Sequence, residues 1–272
     1  MPASLRIRLL GTGPSQGVPG LGGVDEAGDW GECDPANPRN RRSRTAALLE
    51  AADGTRLLID PGPDLRAQLL AARVARLDAV LVTHAHADHV MGLDELRAVN
   101  RVTGRPLPVF ALPETLDDLR ARFGYAFLPA TPGFYRPALQ PHAVNPGETL
   151  PIPALPARLL ELDHQVMRTL GLRLGGLAYC TDLVRLPAES LEALRGVETW
   201  VVGCFGRRPH PVHAHLALVA EWAAAIGARR TILTHMSNAL DEAALRRELP
   251  PGLEPGFDGL EISLQSDDTG CR

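Results

Sequence analysis

Within the run Thr83-His84-Ala85-His86-Ala87-Asp88-His89, three imidazoles and one carboxylate fall within six positions. Each of those groups needs a partner if it is buried, so such density is wasteful as plain structure. As metal ligands they make sense, because imidazole nitrogen and carboxylate oxygen suit Zn²⁺, Mn²⁺ or Fe²⁺. A spacing of two along a turn lets His84 and His86 face one ion while Asp88 and His89 turn toward a second. Asp60, His164, Asp182 and His235 are further residues of ligand type. Taken singly, His164 or His235 reads as a satisfied core histidine, and Asp60 as a cap for the helix after it.

The elements around these residues make the single-residue readings less economical. A strand over 5–10 runs into the tight turn Gly11-Thr12-Gly13. Strands over 45–50 and 56–59 form a hairpin around Asp53-Gly54, and the second ends at Asp60-Pro61-Gly62. A helix over 65–74 leads to an apolar strand over 79–82, which ends at His84. The second half repeats the plan. A strand over 177–181 ends at Asp182, and another apolar run covers 199–202. A helix over 215–226 carries Leu216, Val219, Ala220, Ala223 and Ile226 on one face and stops at Gly227. The strand over 231–234 then ends at His235. Apolar strands that deliver Asp or His at their carboxyl ends line polar groups along one sheet edge, where α/β proteins place their sites. Residues 104–108 and the Pro-rich stretch 128–156 read as loops and short strands over the surface.

Composition narrows the classes. At 272 residues the chain has room for one large α/β domain, 1–272, with a proper core, and 45% apolar residues make it globular. The 28 basic against 32 acidic residues give a net charge of -4, which argues against nucleic acid bound on a basic face. The run Arg39-Asn40-Arg41-Arg42-Ser43-Arg44 reads as a solvated or salt-bridged face rather than an anion site. Cys33, Cys180, Cys204 and Cys271 form no spaced pair, so no disulfide framework is expected, and Cys180 and Cys204 read as inert core thiols. The amino terminus has no apolar leader, and no window approaches the ~18 apolar residues of a membrane span. A cytoplasmic location without a membrane partner is the expectation.

The motif His-x-His-x-Asp-His after an apolar strand resembles the central motif of the metallo-β-lactamase superfamily. The resemblance covers nearly the whole chain, because Asp60, His164, Asp182 and His235 match that family's other stations in order. It implies an α/β fold, a four-layer αββα sandwich built from two pseudo-equivalent halves. It implies two divalent metal ions, Zn²⁺ or Mn²⁺, one held by His84, His86 and His164 and the other by Asp88, His89 and His235. Asp182 would bridge both, and Asp60 would sit behind the ligands and orient an imidazole.

A finer resemblance is to the phosphodiesterase branch that opens phosphoribosyl 1,2-cyclic phosphate in phosphonate breakdown. Residues 10–20, 34–44, 84–97 and 252–262 carry it, with Arg122-Phe123-x-Tyr125-x-Phe127; the first and third stretches also resemble transfer-RNA 3′-end nucleases. This resemblance implies a small, cyclic phosphodiester as substrate, a metal-activated water as nucleophile, and a homodimer. The catalytic set would be Asp88, Asp182 and a histidine that protonates the leaving oxygen. His213 matches that station best, with His210 and His215 close enough to be confused with it. One departure stands out. The branch carries a structural zinc held by three cysteines of the early Gly-rich loop and a histidine, whereas this loop offers only Cys33 and the histidine position is Asn238. No structural zinc is expected. Rival readings are thioester or lactone hydrolysis, an RNA-processing nuclease of the same fold, and a non-catalytic carrier. That carrier would resemble the pyrroloquinoline quinone biosynthesis factor, whose metal cluster is degraded; the complete ligand set here stands against it.

Overall fold

Alternation of side chains along short strands decides which residues meet across the molecule. The computed structural model describes residues 4–129 and 137–265; Cys271 lies outside those residues. β1 (Ser4–Gly11) leads to the hairpin of β2 (Ala46–Glu50) and β3 (Arg56–Ile59), then to α1 (Leu65–Ala72) and β4 (Ala79–Leu81). The one-turn helix α2 (Ala87–Val90) precedes α3 (Leu96–Thr103), β5 (Leu107–Ala111), α4 (Pro113–Phe123) and β6 (Leu139–Ala143). Then come β7 (Arg158–Asp163), β8 (Arg168–Leu174), β9 (Leu177–Cys180), α5 (Ala188–Leu194) and β10 (Thr199–Gly203). The order finishes with α6 (Leu216–Ile226), β11 (Arg230–Thr234), α7 (Glu242–Glu248), β12 (Leu253–Pro255) and β13 (Glu261–Gln265).

These strands make two sheets, in the orders β13-β1-β2-β3-β4-β5-β6 and β12-β11-β10-β9-β8-β7. In the first, antiparallel pairing from β13 to β3 gives way to parallel pairing from β3 to β6. In the second, parallel pairing from β12 to β9 gives way to antiparallel pairing from β9 to β7. The two halves therefore share one plan, as the echoed strand ends predict. Leu57 and Ile59 of β3 belong to a buried cluster between the sheets with Leu170, Tyr179, Val201 and Ile232. Leu58, between them in sequence, belongs to an outer cluster with Leu65 of α1, Leu96 of α3 and Leu116 of α4. On the other side, Trp200 and Val202 of β10 join Val219, Ala223 and Ile226 of α6, while Val201 stays in the middle. The layers are helix, sheet, sheet, helix.

The helix in the second half begins at Leu216, with His215 as its cap, and ends where Gly227 takes φ +70°. Residues 104–106 form the exposed connection that the sequence suggests, but 107–108 do not stay on the surface. Leu107 and Pro108 open β5, an interior strand whose Val109 is fully buried. Pro108 is tolerated near the strand start, and Pro141 lies in the edge strand β6, where a missing N–H is harmless. Replacing a middle-core side chain is expected to be costly: Leu57→Ala should lose about 2–5 kcal/mol of stability in denaturant melts. Leu21→Ala, at a fully exposed loop position, should change stability by no more than about 0.5 kcal/mol.

Candidate metal centre

Four strand ends converge on one edge. β3 ends at Ile59 before Asp60, β4 leads through Val82 and Thr83 to His84, β9 leads through Thr181 to Asp182, and β11 ends at Thr234 before His235. Asp60, Asp182 and His235 take left-handed backbone conformations, with φ of +62°, +50° and +55°. Such conformations cost non-glycine residues about 1–3 kcal/mol each and persist only where the surroundings impose them. At these positions they turn the chain off the strand and point its side chain along the sheet edge. The short helix α2, with His86 at its N-cap, carries Asp88 and His89. A close backbone crossing holds that helix in place: Gly92 donates to the Pro61 carbonyl at 2.9 Å. A Cβ on Gly92 would lie 1.9 Å from the Gly62 carbonyl oxygen, and one on Gly62 2.3 Å from that of Asp88.

The ligand atoms gather as two sets joined by one carboxylate. His84, His86 and His164 place ligand atoms within 4.8 Å of one another, and so do Asp88, His89 and His235. His84 Nε2 and His86 Nδ1 face each other at 3.0 Å. Asp182 lies between the sets. Its Oδ2 is 3.2 Å from His89 Nε2, and its Oδ1 is 3.4 Å from His235 Nε2 and 3.9 Å from His164 Nε2. All the residues placed at the metals by resemblance thus come together, and all but His86 are buried.

The far side of each ring is pinned, which fixes the face it presents. Asp60 accepts from the Thr83 N–H at 2.7 Å, from Thr83 Oγ1 at 2.8 Å and from His89 Nδ1 at 2.7 Å. Asp60 is therefore a carboxylate behind the His89 imidazole, and it does not cap α1, which has no side-chain cap hydrogen bond. Thr83 has spent its one hydroxyl proton on Asp60, so at 3.0 Å it accepts from His84 Nδ1 and leaves Nε2 free. His164 Nδ1 donates to the Val212 carbonyl at 2.6 Å. His235 Nδ1 faces Thr45 Oγ1 at 3.1 Å. The partners Thr45, Thr83 and Val212 were not legible as functional residues; only the Thr-His adjacency at 83–84 offered a signal.

Of the three histidines near the proton-donor station, the structure brings His213 into the cluster. Its Nδ1 is 3.6 Å from Asp182 Oδ1, and its ring stacks on Phe205 with centroids 5.1 Å apart. His215 caps α6 by accepting from the Leu218 N–H at 3.3 Å. His210 packs on the outer side of Phe205 and His213, with centroids 4.7 and 5.1 Å away. The basic run is salt-bridged at Arg39 and Arg44, as expected, but Arg42 lies inside the protein rather than on a solvated face. Arg39 pairs with Glu242 at 3.1 Å and Arg44 with Asp64 at 2.9 Å. Arg42 is buried and donates to the carbonyls of Ser237 and Leu240. In the early loop, Asn238 donates to Asp29 Oδ2 at 3.1 Å, so an amide tethers the segment that carries Cys33. Burial pushes the Cys180 and Cys204 thiols up to about 12, which keeps them inert.

Electrostatics test whether cations fit. Burial opposes ionisation of Asp182, yet His235 and His89 pull its carboxyl well below the usual range. Burial likewise opposes charge on His89, but the Asp182 and Asp60 carboxylates raise it well above an ordinary histidine. In the metal-free chain an imidazolium thus stands among three carboxylates. His89 Nε2 is buried and has no hydrogen-bond partner, although Asp88 Oδ2 and Asp182 Oδ2 lie within 3.3 Å. An orphaned nitrogen flanked by two carboxylate oxygens is a ligand set for a divalent cation, and the residues fit one. The remaining rings behave oppositely: burial holds His84, His164 and His235 below 6.5, and His213 falls to about 3. A depressed histidine binds fewer protons folded than unfolded, so its protonation favours the unfolded chain. The metal-free protein is therefore expected to lose stability as pH falls from about 6.5 toward His213's value of about 3. Urea melts at stepped pH check this; flat stability across that window would count against burial of these rings.

Comparison with known proteins agrees with this geometry. The Beta-lactamase superfamily domain model matches residues 55–236, a span that includes every residue of the cluster, and the chain belongs to that superfamily. A solved structure described as a new diphosphatase from the PhnP family is 30% identical, with a TM-score of 0.85 over 96% of this chain and 97% of that one. An octanoyltransferase of Porphyromonas gingivalis is 35% identical over 98% of this chain, and the chain spans 53% of that protein's length. A ribonuclease Z of a Bradyrhizobium species is 35% identical over 36% of this chain and 36% of its own length. No described helix is long and apolar enough to cross a membrane.

Proposed function

We propose that this chain is a dinuclear metal-dependent phosphohydrolase acting on a small phosphodiester, a cyclic one in particular. The observation that carries this reading is the pair of donor sets joined by Asp182, with the orphaned His89 Nε2 between carboxylates. Two divalent cations held by these residues, Zn²⁺ or Mn²⁺, would bring the pKa of a water toward neutrality and offset charge on phosphoryl oxygens. The protein's own part is positional and electrostatic. Asp60, Thr83, Thr45 and the Val212 carbonyl fix the imidazole faces before substrate arrives, so no reorganisation is needed during reaction. His213, between Asp182 and Phe205, hands a proton to the departing oxygen. Burial and His235 hold it neutral in the free protein, so it would have to take up a proton from solvent as substrate binds, the anionic oxygens of the phosphodiester favouring the imidazolium. The likeness to a PhnP-family diphosphatase supports phosphoryl chemistry. The net charge of -4 and the engagement of Arg39, Arg42 and Arg44 with groups of the protein itself favour a small substrate over RNA.

The test is to incubate metal-reconstituted protein with a ribose cyclic phosphate and follow phosphorus by NMR, with Asp182→Ala as control. Ring opening to a phosphomonoester, absent in the control, supports the reading; no turnover by protein carrying two metals overturns it. A second reading, hydrolysis of an acyl thioester, is favoured by one observation. Nearly the whole chain aligns with about half of a protein named for octanoyl transfer, so in that relative a segment like this one belongs to a polypeptide named for acyl chemistry. Thiol release from an octanoyl thioester by protein inert toward the cyclic phosphate would move the assignment there.

A further inference from the structure

His235 is the ligand farthest along the chain, and its backbone is held at φ +55°. What holds its ring comes from elsewhere. Thr45, fully buried just ahead of β2, places Oγ1 3.1 Å from His235 Nδ1. The same hydroxyl donates to the Gly13 carbonyl at 2.7 Å, and the Thr45 N–H reaches that carbonyl at 3.1 Å. A hydroxyl has one proton to give. With it committed to Gly13, Thr45 can only accept from His235, which puts the proton on Nδ1 and leaves Nε2 bare toward Asp182.

The two segments that build this acceptor are clamped by a single carboxylate. Asp258 Oδ1 accepts from the Thr12 N–H at 2.9 Å and from Thr12 Oγ1 at 2.8 Å. Its Oδ2 accepts from the Ser43 N–H at 2.7 Å and from Ser43 Oγ at 2.6 Å. Thr12 precedes Gly13, Ser43 lies two residues before Thr45, and the Gly13 N–H donates to the Ser43 carbonyl at 2.8 Å. The other shoulder of His235 is tied to the same place, because the Met236 N–H donates to the Thr12 carbonyl at 2.8 Å. Asp258 sits between β12, which pairs with the strand that delivers His235, and β13, which pairs with β1. The four donors on Asp258 leave no role for a neutral side chain of the same shape that must itself donate.

We propose that Asp258 and Thr45 form a positioning relay that sets the ring orientation and the tautomer of His235. Asp258 fixes the Thr12–Gly13 and Ser43–Thr45 segments, Gly13 takes the Thr45 proton, and Thr45 takes the proton of His235. The inference rests on the metal-centre reading for its purpose, yet its structural content is independent of any metal. Neither residue touches substrate in this account; both act through the imidazole.

The tautomer is read in metal-free protein by long-range proton–nitrogen correlation NMR of the histidine rings. His235 is expected with its proton on Nδ1 in the unaltered protein, and Thr45→Ser should retain it. Thr45→Val, equal in size and without the acceptor, should shift the ring toward the Nε2 tautomer. Metal competition against a chelator should then show one of two ions bound about 10–100-fold more weakly, as loss of an outer hydrogen bond does elsewhere. Asp258→Asn should move both readouts in the same direction, and circular dichroism identifies any variant that has not folded. Should Thr45→Val unfold, Asp258→Asn and Thr45→Ser still decide the matter. An unchanged His235 tautomer in a folded Thr45→Val or Asp258→Asn protein would overturn the relay. Failure of the unaltered protein to bind metal while showing the Nδ1 tautomer would overturn the metal reading and leave the relay standing.

Discussion

Asp182→Ala is expected to lower turnover by roughly a thousandfold or more and to reduce metal content below two ions per chain. The reason is positional. Asp182 reaches both donor sets, with Oδ2 3.2 Å from His89 Nε2 in one and Oδ1 3.9 Å from His164 Nε2 in the other. Thr181 Oγ1 donates to Oδ2 at 2.6 Å and orients the carboxylate. Without Asp182 the two triads lose the carboxylate they share, and His89 loses one of the two carboxylates that support its charge. Asp182→Asn keeps the volume and one oxygen, so metal content should suffer in the same direction but less. Metal analysis by mass spectrometry alongside steady-state kinetics checks both. A fully loaded and fully active alanine variant would remove Asp182 from the centre.

His213→Ala is expected to act on the leaving group. With an alkoxide leaving group the loss should be about 10²–10⁴-fold, the usual worth of a positioned proton donor. With a nitrophenolate, which departs without a proton, the loss should be small. Of His210, His213 and His215, His213 is the one that reaches Asp182 Oδ1, at 3.6 Å. His215→Ala should lower the melting temperature through the lost cap on α6 and leave the leaving-group dependence unchanged. An equal loss on both substrates with His213→Ala would count against proton donation and leave the residue a packing role against Phe205.

The ligand set was legible because its residues sit at the ends of apolar strands, where a change from Leu or Ile to Asp or His is conspicuous. Each half carries the same signal, so His164, Asp182 and His235 gained meaning from order that none had alone. The strands named from the sequence, those over 5–10, 45–50, 56–59, 79–82, 177–181, 199–202 and 231–234, lie within a residue or two of their positions in the structure. By contrast, β5 to β8, β12 and β13 were not individually legible. Elements whose burial depends on distant partners were not legible. Residues 107–108 looked like surface because Pro108 is a poor strand former, and only the pairing of β5 with β4 on one side and β6 on the other makes the strand interior. The apolar positions of α4, Leu116, Leu119 and Phe123, show the right spacing but lie among charged residues. The outer hydrogen bonds were the least legible, since Thr45 meets His235 across 190 positions and Asp258 meets Ser43 across 215. No local pattern encodes such pairings; they exist only once the two sheets have packed.

The arrangement of the two donor sets is tested most directly by anomalous diffraction from crystals grown with Mn²⁺ or Zn²⁺. Two peaks are expected, one among His84, His86 and His164 and the other among Asp88, His89 and His235, with Asp182 touching both. A single peak, or metal bound away from Asp182, would contradict the dinuclear centre on which the proposed chemistry depends.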